Sequence, residues 1–286
     1  MLSSHAGTVM KIKSVIIVLM ILVAHPINAA MKEIDLQNPK CNTNYRSAVN
    51  SLKDHCIRLV TSDAPQIQTE ELVIYLHGDY GIGGSSYMNT IASHFSKPTR
   101  MNIALIRPGY FDDEGNFSTG NSLGITSTKI AGRLDNYTRE NVDIIADAIL
   151  NLKRHYKSKR ILIVGHSGGA AIASLILNFY PQLIDGALLI NCPCDLKLWK
   201  PDWEHSLSPI EHIDNISQKS LVRVISGAED EAVNPELGKD YTQKLIKNQK
   251  NAKFYLGIAM KHNLSDQGTR EIVLKSIQEF LDEMKQ

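Results

Sequence analysis

Arg160-Ile161-Leu162-Ile163-Val164 runs without a break into Gly165-His166-Ser167-Gly168-Gly169, and Ala170-Ala171-Ile172-Ala173 follows. Five strand-forming residues, a glycine-framed serine and a small-residue helix start spell strand, sharp turn, helix. The flanking glycines suit a turn that forces Ser167 into a strained backbone conformation and crowds out neighbouring side chains. Strain of this kind presents a serine hydroxyl at the edge of a sheet, over a helix N-terminus. The bland alternative is a serine in an ordinary strand–helix turn.

Working outward, short apolar runs bounded by turn residues recur at Ile57–Val60, Leu72–Leu76, Asn102–Ile106, Arg160–Val164, Gly186–Ile190, Leu221–Ile225 and Ala252–Leu256. They are rich in Ile, Val and Leu without strict alternation, as expected of strands buried on both faces. Between them Val142, Ile145, Ala146, Ile149 and Leu152 form one helical stripe, and Val273, Ile277, Phe280, Leu281 and Met284 form another. Strands alternating with helices imply parallel strands joined by right-handed crossovers, a layered α/β domain. Two long segments break the rhythm, Pro108–Asn136 and Cys192–Ser220, and each emerges at the strand ends where ligands bind in such sheets.

A serine at its ordinary pKa is a poor nucleophile and needs a base held by an acid. Leu221-Val222-Arg223-Val224-Ile225-Ser226 reads as a strand that ends in Gly227-Ala228-Glu229-Asp230-Glu231. An acid just past that strand end shares an edge with Ser167, and Asp230 has the reach to swing back over it. Lys253-Phe254-Tyr255-Leu256 reads as the last strand, and the loop after it carries His262, the only histidine beyond Asp230. The expected roles are Ser167 as nucleophile, His262 as general base and Asp230 as the acid fixing its tautomer. The developing oxyanion needs N–H donors: one from Gly168, the other from Asp79 or Tyr80 in the glycine-rich loop after Leu72–Leu76. His77, in the same loop, is read as structural.

Carried by His77-Gly78, Arg107-Pro108-Gly109-Tyr110, the Gly165–Gly169 turn, Gly227–Asp230 and His262, the chain from Leu72 to Met284 resembles the α/β-hydrolase superfamily. The resemblance implies a three-layer fold with an eight-strand, mostly parallel central sheet flanked by helices. It implies hydrolysis with no cofactor and no metal, and assigns Ser167, Asp230 and His262 to the triad. Members often carry a helical cap after the sixth strand. Here Cys192–Ser220 is too short for a large one, which resembles open-site esterases, peptidases and dienelactone-hydrolase-like members.

The front of the chain has another character. Lys11 and Lys13 precede the uncharged run Ser14–Ala24, and His25-Pro26-Ile27-Asn28-Ala29-Ala30 follows. A basic start, a short apolar stretch and small residues make residues 1–29 a secretory signal, leaving 30–286 as a single domain. The alternative is a membrane anchor, although a spanning helix needs about 20 apolar residues. The expected localisation is secreted or periplasmic, with no stable membrane insertion after cleavage. Of 31 Lys plus Arg, removing Lys11 and Lys13 leaves 29 against 30 acids, a net of −1. So balanced a chain, 43% hydrophobic and 21% charged, has no electrostatic pull toward nucleic acid and is not disordered.

Cys41, Cys56, Cys192 and Cys194 allow three pairings. Tyr45, Val49, Leu52 and Cys56 share a helical face. A straight helix would hold Cys41 roughly 22 Å from Cys56, so that bridge requires Cys41 in a loop that folds back. Cys192-Pro193-Cys194 reads as too tight to pair easily, and the redox state stays open.

The sequence therefore points to an exported serine hydrolase cleaving a carboxylic ester through an acyl-enzyme. A peptidase or amidase on the same fold is the runner-up, and a non-catalytic binding protein the remaining alternative. The partner is a small-molecule ester or peptide substrate. Tyr110, Phe111, Trp199 and Trp203 are expected wall residues, and nothing in the sequence specifies acyl length, leaving group or oligomeric state.

Overall fold

The structure, a computed structural model, describes residues 41–79, 86–120 and 135–285. The expected signal segment and Tyr80 lie outside them, as does part of the Pro108–Asn136 loop. In chain order the strands are β1 (Ala48–Ser51), β2 (His55–Val60), β3 (Glu71–Leu76), β4 (Arg100–Leu105), β5 (Arg160–His166), β6 (Gly186–Ile190), β7 (Leu221–Gly227) and β8 (Ala252–Gly257). The helices are α1 (Ser86–Ser93), α2 (Arg139–Tyr156), α3 (Gly168–Phe179), α4 (Leu196–Trp199), α5 (Pro235–Lys247) and α6 (Gln267–Glu283).

The strands form one sheet in the order β1-β2-β4-β3-β5-β6-β7-β8. From β4 to β8 every pairing is parallel, and β1–β2 and β2–β4 are antiparallel. This is the three-layer α/β-hydrolase fold. Successive β3 residues serve opposite faces, as the strand pleat requires. Leu72, Ile74 and Leu76 pack with α2, α3 and α5 residues, whereas Val73 and Tyr75 pack with Met88 of α1 and Phe280 of α6. Burial on both faces is why these strands read as continuous apolar runs.

The helices start and stop where their ends are satisfied. Thr138 caps α2 through its side chain, accepting from the Asn141 N–H, and Lys157 closes it in a left-handed conformation at φ 48°. Every residue of the stripe Val142, Ile145, Ala146, Ile149 and Leu152 is buried. α3 is buried along almost its whole length, as a helix apolar all round must be.

Two expectations are corrected. The Tyr45–Cys56 stretch is no helix: it is β1, a single tight turn and β2, paired antiparallel from Ala48↔Arg58 to Ser51↔His55. Positive φ at Tyr45, Lys53 and Asp54 breaks any helical run, and sheet pairing outweighs a four-residue apolar spacing. Cys41 then lies 5.2 Å (Cα–Cα) from Cys56 and is bonded to it. Cys192 and Cys194 are also bonded, against the reading that they sit too close. Two Cα steps of about 3.8 Å folded at Pro193 leave the Cα atoms 5.1 Å apart, inside the disulfide range. Among the described residues no cysteine is free.

The segment from Cys192 to Ser220 holds only α4 and a short turn at Pro209–Glu211. No separate cap domain is inserted between β6 and β7. Among the described residues no helix is long and apolar enough to cross a membrane.

Candidate active site

Ser167 sits between β5 and α3 with φ 53° and ψ −122°, a left-handed conformation a side-chain-bearing residue adopts only under constraint. The constraints are visible. The Ser167 N–H donates to the Ile190 carbonyl (2.8 Å), and its carbonyl accepts from the Ala170 and Ala171 N–H groups that open α3. A Cβ on Gly169 would stand 2.2 Å from the Leu76 carbonyl oxygen, and one on Gly165 would stand 2.6 Å from the Ala170 Cα. Only glycine lets β3, β5 and α3 close to this distance.

Asp230 lies in the loop after β7 and His262 in the loop after β8. The His262 Nδ1–H donates to Asp230 Oδ2 at 2.8 Å. The other carboxylate oxygen accepts from the Ala232 and Val233 N–H groups, both at 2.8 Å, so the acid is anchored before it meets the imidazole. The Asp230 side chain is 0% exposed and that of His262 is 24% exposed. Among the described residues no hydrogen bond reaches the Ser167 hydroxyl. Ser167 itself is 2% exposed.

The loop after β3 presents a buried network that sequence reasoning missed. Asp79, expected as a backbone donor, has its carboxylate paired with Arg107 (2.6 Å) and hydrogen-bonded by the hydroxyls of Tyr110 (2.7 Å) and Tyr137 (2.6 Å). Arg107 also donates to the His77 carbonyl. Burial opposes the Arg107 charge, and the Asp79 carboxylate at 2.6 Å keeps it cationic. Burial first, then the Asp79 charge, pushes both tyrosine hydroxyls far above their ordinary range, so they stay protonated donors. The network lies over Gly168: a Cβ there would meet the Tyr137 hydroxyl at 2.0 Å and Arg107 Nη1 at 2.5 Å. Among the described residues neither the Gly168 nor the Asp79 N–H has a hydrogen-bond partner.

His77 bonds within its own loop and to the β4 end. Its Nδ1–H donates to the Gly78 carbonyl and its Nε2 accepts from the Arg107 N–H (2.9 Å). Burial, reinforced by the Arg107 charge, drives its pKa well below the ordinary histidine range. Arg107 stands in the quoted Arg107-Pro108-Gly109-Tyr110 stretch, so its presence was legible, but only the fold reveals its partner. Tyr137 lies in a loop with no local signal.

A groove of about 820 Å³ opens beside Asp230 and His262, bordered by Glu229, Glu231, Lys261 and Asn263. Of the expected wall residues, Tyr110 is buried within the Asp79 network and Phe111 packs on Phe117. Trp199 donates to the Ala232 carbonyl beside Asp230, and Trp203 stacks on Tyr137 with centroids 5.7 Å apart. The two tryptophans thus connect the short β6–β7 segment to both sides of the site.

Fold and relatives together define a serine hydrolase of the α/β-hydrolase superfamily. The chain belongs to the prolyl oligopeptidase family, whose profile matches residues 128–286 and so spans the elbow, Asp230 and His262. No curated protein matches the chain in sequence. Among solved structures it is similar to an esterase of Pyrococcus furiosus, at 17% identity and TM-score 0.62 over 82% of this chain and 90% of that one. It is similar to the ferulic-acid-bound Butyrivibrio proteoclasticus esterase, at 14% identity and TM-score 0.62 over 82% and 98% of the two chains. The acylaminoacyl peptidase of Pyrococcus horikoshii aligns at 16% identity and TM-score 0.60, over 83% of this chain but 40% of that one. At these identities the likeness is one of fold.

Proposed function

We propose that the protein is an exported serine hydrolase that cleaves a carboxylic ester through Ser167, His262 and Asp230. The observation that carries this reading is the Asp230–His262 hydrogen bond beside a serine held at φ 53° on a helix N-terminus. His262 Nε2 takes the proton as Ser167 Oγ attacks the substrate carbonyl carbon, and Asp230 holds the Nδ1 proton and stabilises the imidazolium. The tetrahedral oxyanion accepts from the Gly168 N–H and from Asp79 or Tyr80, each donor worth about 10²–10³ in rate. Collapse expels the alcohol with the proton carried by His262. Water, deprotonated by His262, then attacks the acyl-enzyme and frees Ser167.

The ester preference draws support from the two esterases that share this architecture over nearly their whole length. Peptide cleavage is the second reading, favoured by the family itself and by the acylaminoacyl peptidase likeness. Export draws support from the basic-then-apolar front of the sequence and from two disulfides, which persist in oxidising compartments.

The test is labelling of the purified protein with a fluorophosphonate, followed by rates on short-chain nitrophenyl esters and aminoacyl anilides. Wild type should label at Ser167, and Ser167→Ala should not. Unlabelled wild type would sink the triad, and faster anilide cleavage would replace esterase by peptidase. Mass spectrometry of protein collected outside the cytoplasm should show the chain beginning near Ala30. A chain still carrying Lys11 and Lys13 would end the signal-peptide reading.

A further inference from the structure

The loop that carries His262 follows β8 but has no strand or helix of its own to fix it, yet three consecutive carbonyls in it are gripped from three strand ends. The Met260 carbonyl accepts from the Glu229 N–H past β7 (3.0 Å). The Lys261 carbonyl accepts from Asn191 Nδ2, past β6 (2.9 Å). The His262 carbonyl pairs with His166 Nε2, at the end of β5 (3.0 Å). Two of these three donors are side chains with no part in the chemistry proposed above.

The proton positions follow from the partners. A carbonyl only accepts, so His166 Nε2 must carry the proton. His166 is buried, and burial together with the neighbouring His262 pushes its pKa down to about 3. It is therefore neutral near pH 7, and its bare Nδ1 accepts from the Tyr87 hydroxyl at 3.0 Å. That hydroxyl in turn accepts from the Gly78 N–H at 2.6 Å. The bonds run one way, from Gly78 in the loop after β3, through Tyr87 of α1 and His166 of the elbow, to the His262 backbone. Successive bonds of one polarity reinforce each other in a buried site.

Asn191 is equally committed. It is fully buried and holds φ 49°, a left-handed geometry that asparagine tolerates better than most residues. While its Nδ2 grips Lys261, its Oδ1 accepts from the Gly227 N–H (2.9 Å) at the end of β7, three residues before Asp230. One side chain thus fixes the base loop relative to the acid loop.

We infer that His166 and Asn191 are positioning residues that set the His262 imidazole over Ser167 by clamping the carbonyls of His262 and Lys261. This rests on the triad reading and adds what holds the triad in register. A reacting group displaced by about 1 Å loses about 100-fold in rate, so a loosened clamp should appear in kcat and not in KM.

The test compares wild type, His166→Phe, His166→Gln and Asn191→Asp on p-nitrophenyl acetate, with fluorophosphonate labelling of Ser167 as a second rate. Glutamine places an N–H donor where His166 Nε2 stands, and phenylalanine has none. Aspartate keeps the acceptor for Gly227 but sets an oxygen against the Lys261 carbonyl. His166→Phe and Asn191→Asp should lose about 10- to 100-fold in kcat and in labelling rate with KM within about twofold. His166→Gln should recover most of the loss. Phe and Gln variants equally slow, or a Phe variant as fast as wild type, would overturn the clamp. If His166→Phe does not fold, a fast His166→Gln beside a slow Asn191→Asp supports the clamp, and any other pairing refutes it. A wild type that does not label refutes the triad itself, and the clamp with it; a labelled wild type with unchanged variants refutes the clamp alone.

Discussion

Arg107→Met isolates the buried network beneath the expected oxyanion loop. Methionine matches the length of the arginine stem and fills its volume but removes the charge and the donors. Lost with it are the 2.6 Å ion pair to Asp79 and the bonds to the His77 carbonyl and the Tyr110 hydroxyl. Removing one partner from a buried ion pair costs about 3–5 kcal/mol, because a buried charge is left uncompensated. Asp79 keeps two short hydroxyl donors, Tyr110 at 2.7 Å and Tyr137 at 2.6 Å, which places the expected loss near the lower bound, about 3 kcal/mol. Urea unfolding at pH 7.5 should show this as a lower midpoint with an unchanged slope. Asp79→Asn should cost a similar amount, since it strands the Arg107 charge instead. The double variant should cost less than the sum by at least about 1 kcal/mol, because neither charge is then left alone. A single-variant loss below about 1 kcal/mol, or strict additivity in the double, would refute the account of Asp79 and Arg107 as one buried unit.

Three further outcomes follow from the same structure. Gly168→Ala drives a methyl group to 2.0 Å from the Tyr137 hydroxyl, so ester hydrolysis should fall at least about 100-fold with a measurable loss of melting temperature; near-normal turnover would contradict the packing described. His166 and His77 are buried and neutral, with folded pKa values below the unfolded value near 6.5. The unfolded chain therefore binds more protons below that value, and stability falls as pH drops below about 6.5, by about 2 kcal/mol at pH 5 from His166 alone, with His77 adding in the same direction; melts at pH 7 and pH 5 check the sign, and equal stability would sink it. Serine in place of both Cys41 and Cys56 reopens a loop of separation 15 and should cost about 3 kcal/mol, whereas the same exchange at Cys192 and Cys194, separated by 2, should cost about half that in urea unfolding.

The parts of this protein that were legible in advance share a physical property. The setting of Ser167 was readable because the elbow compresses its demands into fourteen adjacent residues: a strand, glycines where Cβ atoms would collide, and a helix start. The parallel core was readable because a strand buried on both faces has to be apolar at nearly every position. Asp230 and His262 were readable only as successive strand ends, and their hydrogen bond joins residues 32 apart.

What failed did so where distant pairing outweighs local pattern. Tyr45–Cys56 carried a helical spacing, but the antiparallel partner and the bridge to Cys41 made it a strand pair. Cys192 and Cys194 pair because the backbone brings their Cα atoms to 5.1 Å, a detail that spacing does not carry. Asp79 was expected for its N–H, and nothing in the loop indicated that its carboxylate would meet an arginine 28 residues on and a tyrosine 58 residues on.

By itself the sequence determined the layered α/β fold, the strand–turn–helix that presents Ser167 and the placing of Asp230 and His262 after successive strands, because each depends on hydrophobic patterning and local turn geometry. Only the tertiary structure decided what holds them. The Asp79–Arg107 network and the hydrogen bonds from His166 and Asn191 to the His262 loop join residues at different strand ends, and the Cys41–Cys56 bridge ties the stretch before β1 to β2. Their energies come from burial and hydrogen-bond geometry, and those exist only once the sheet has brought its carboxyl ends together.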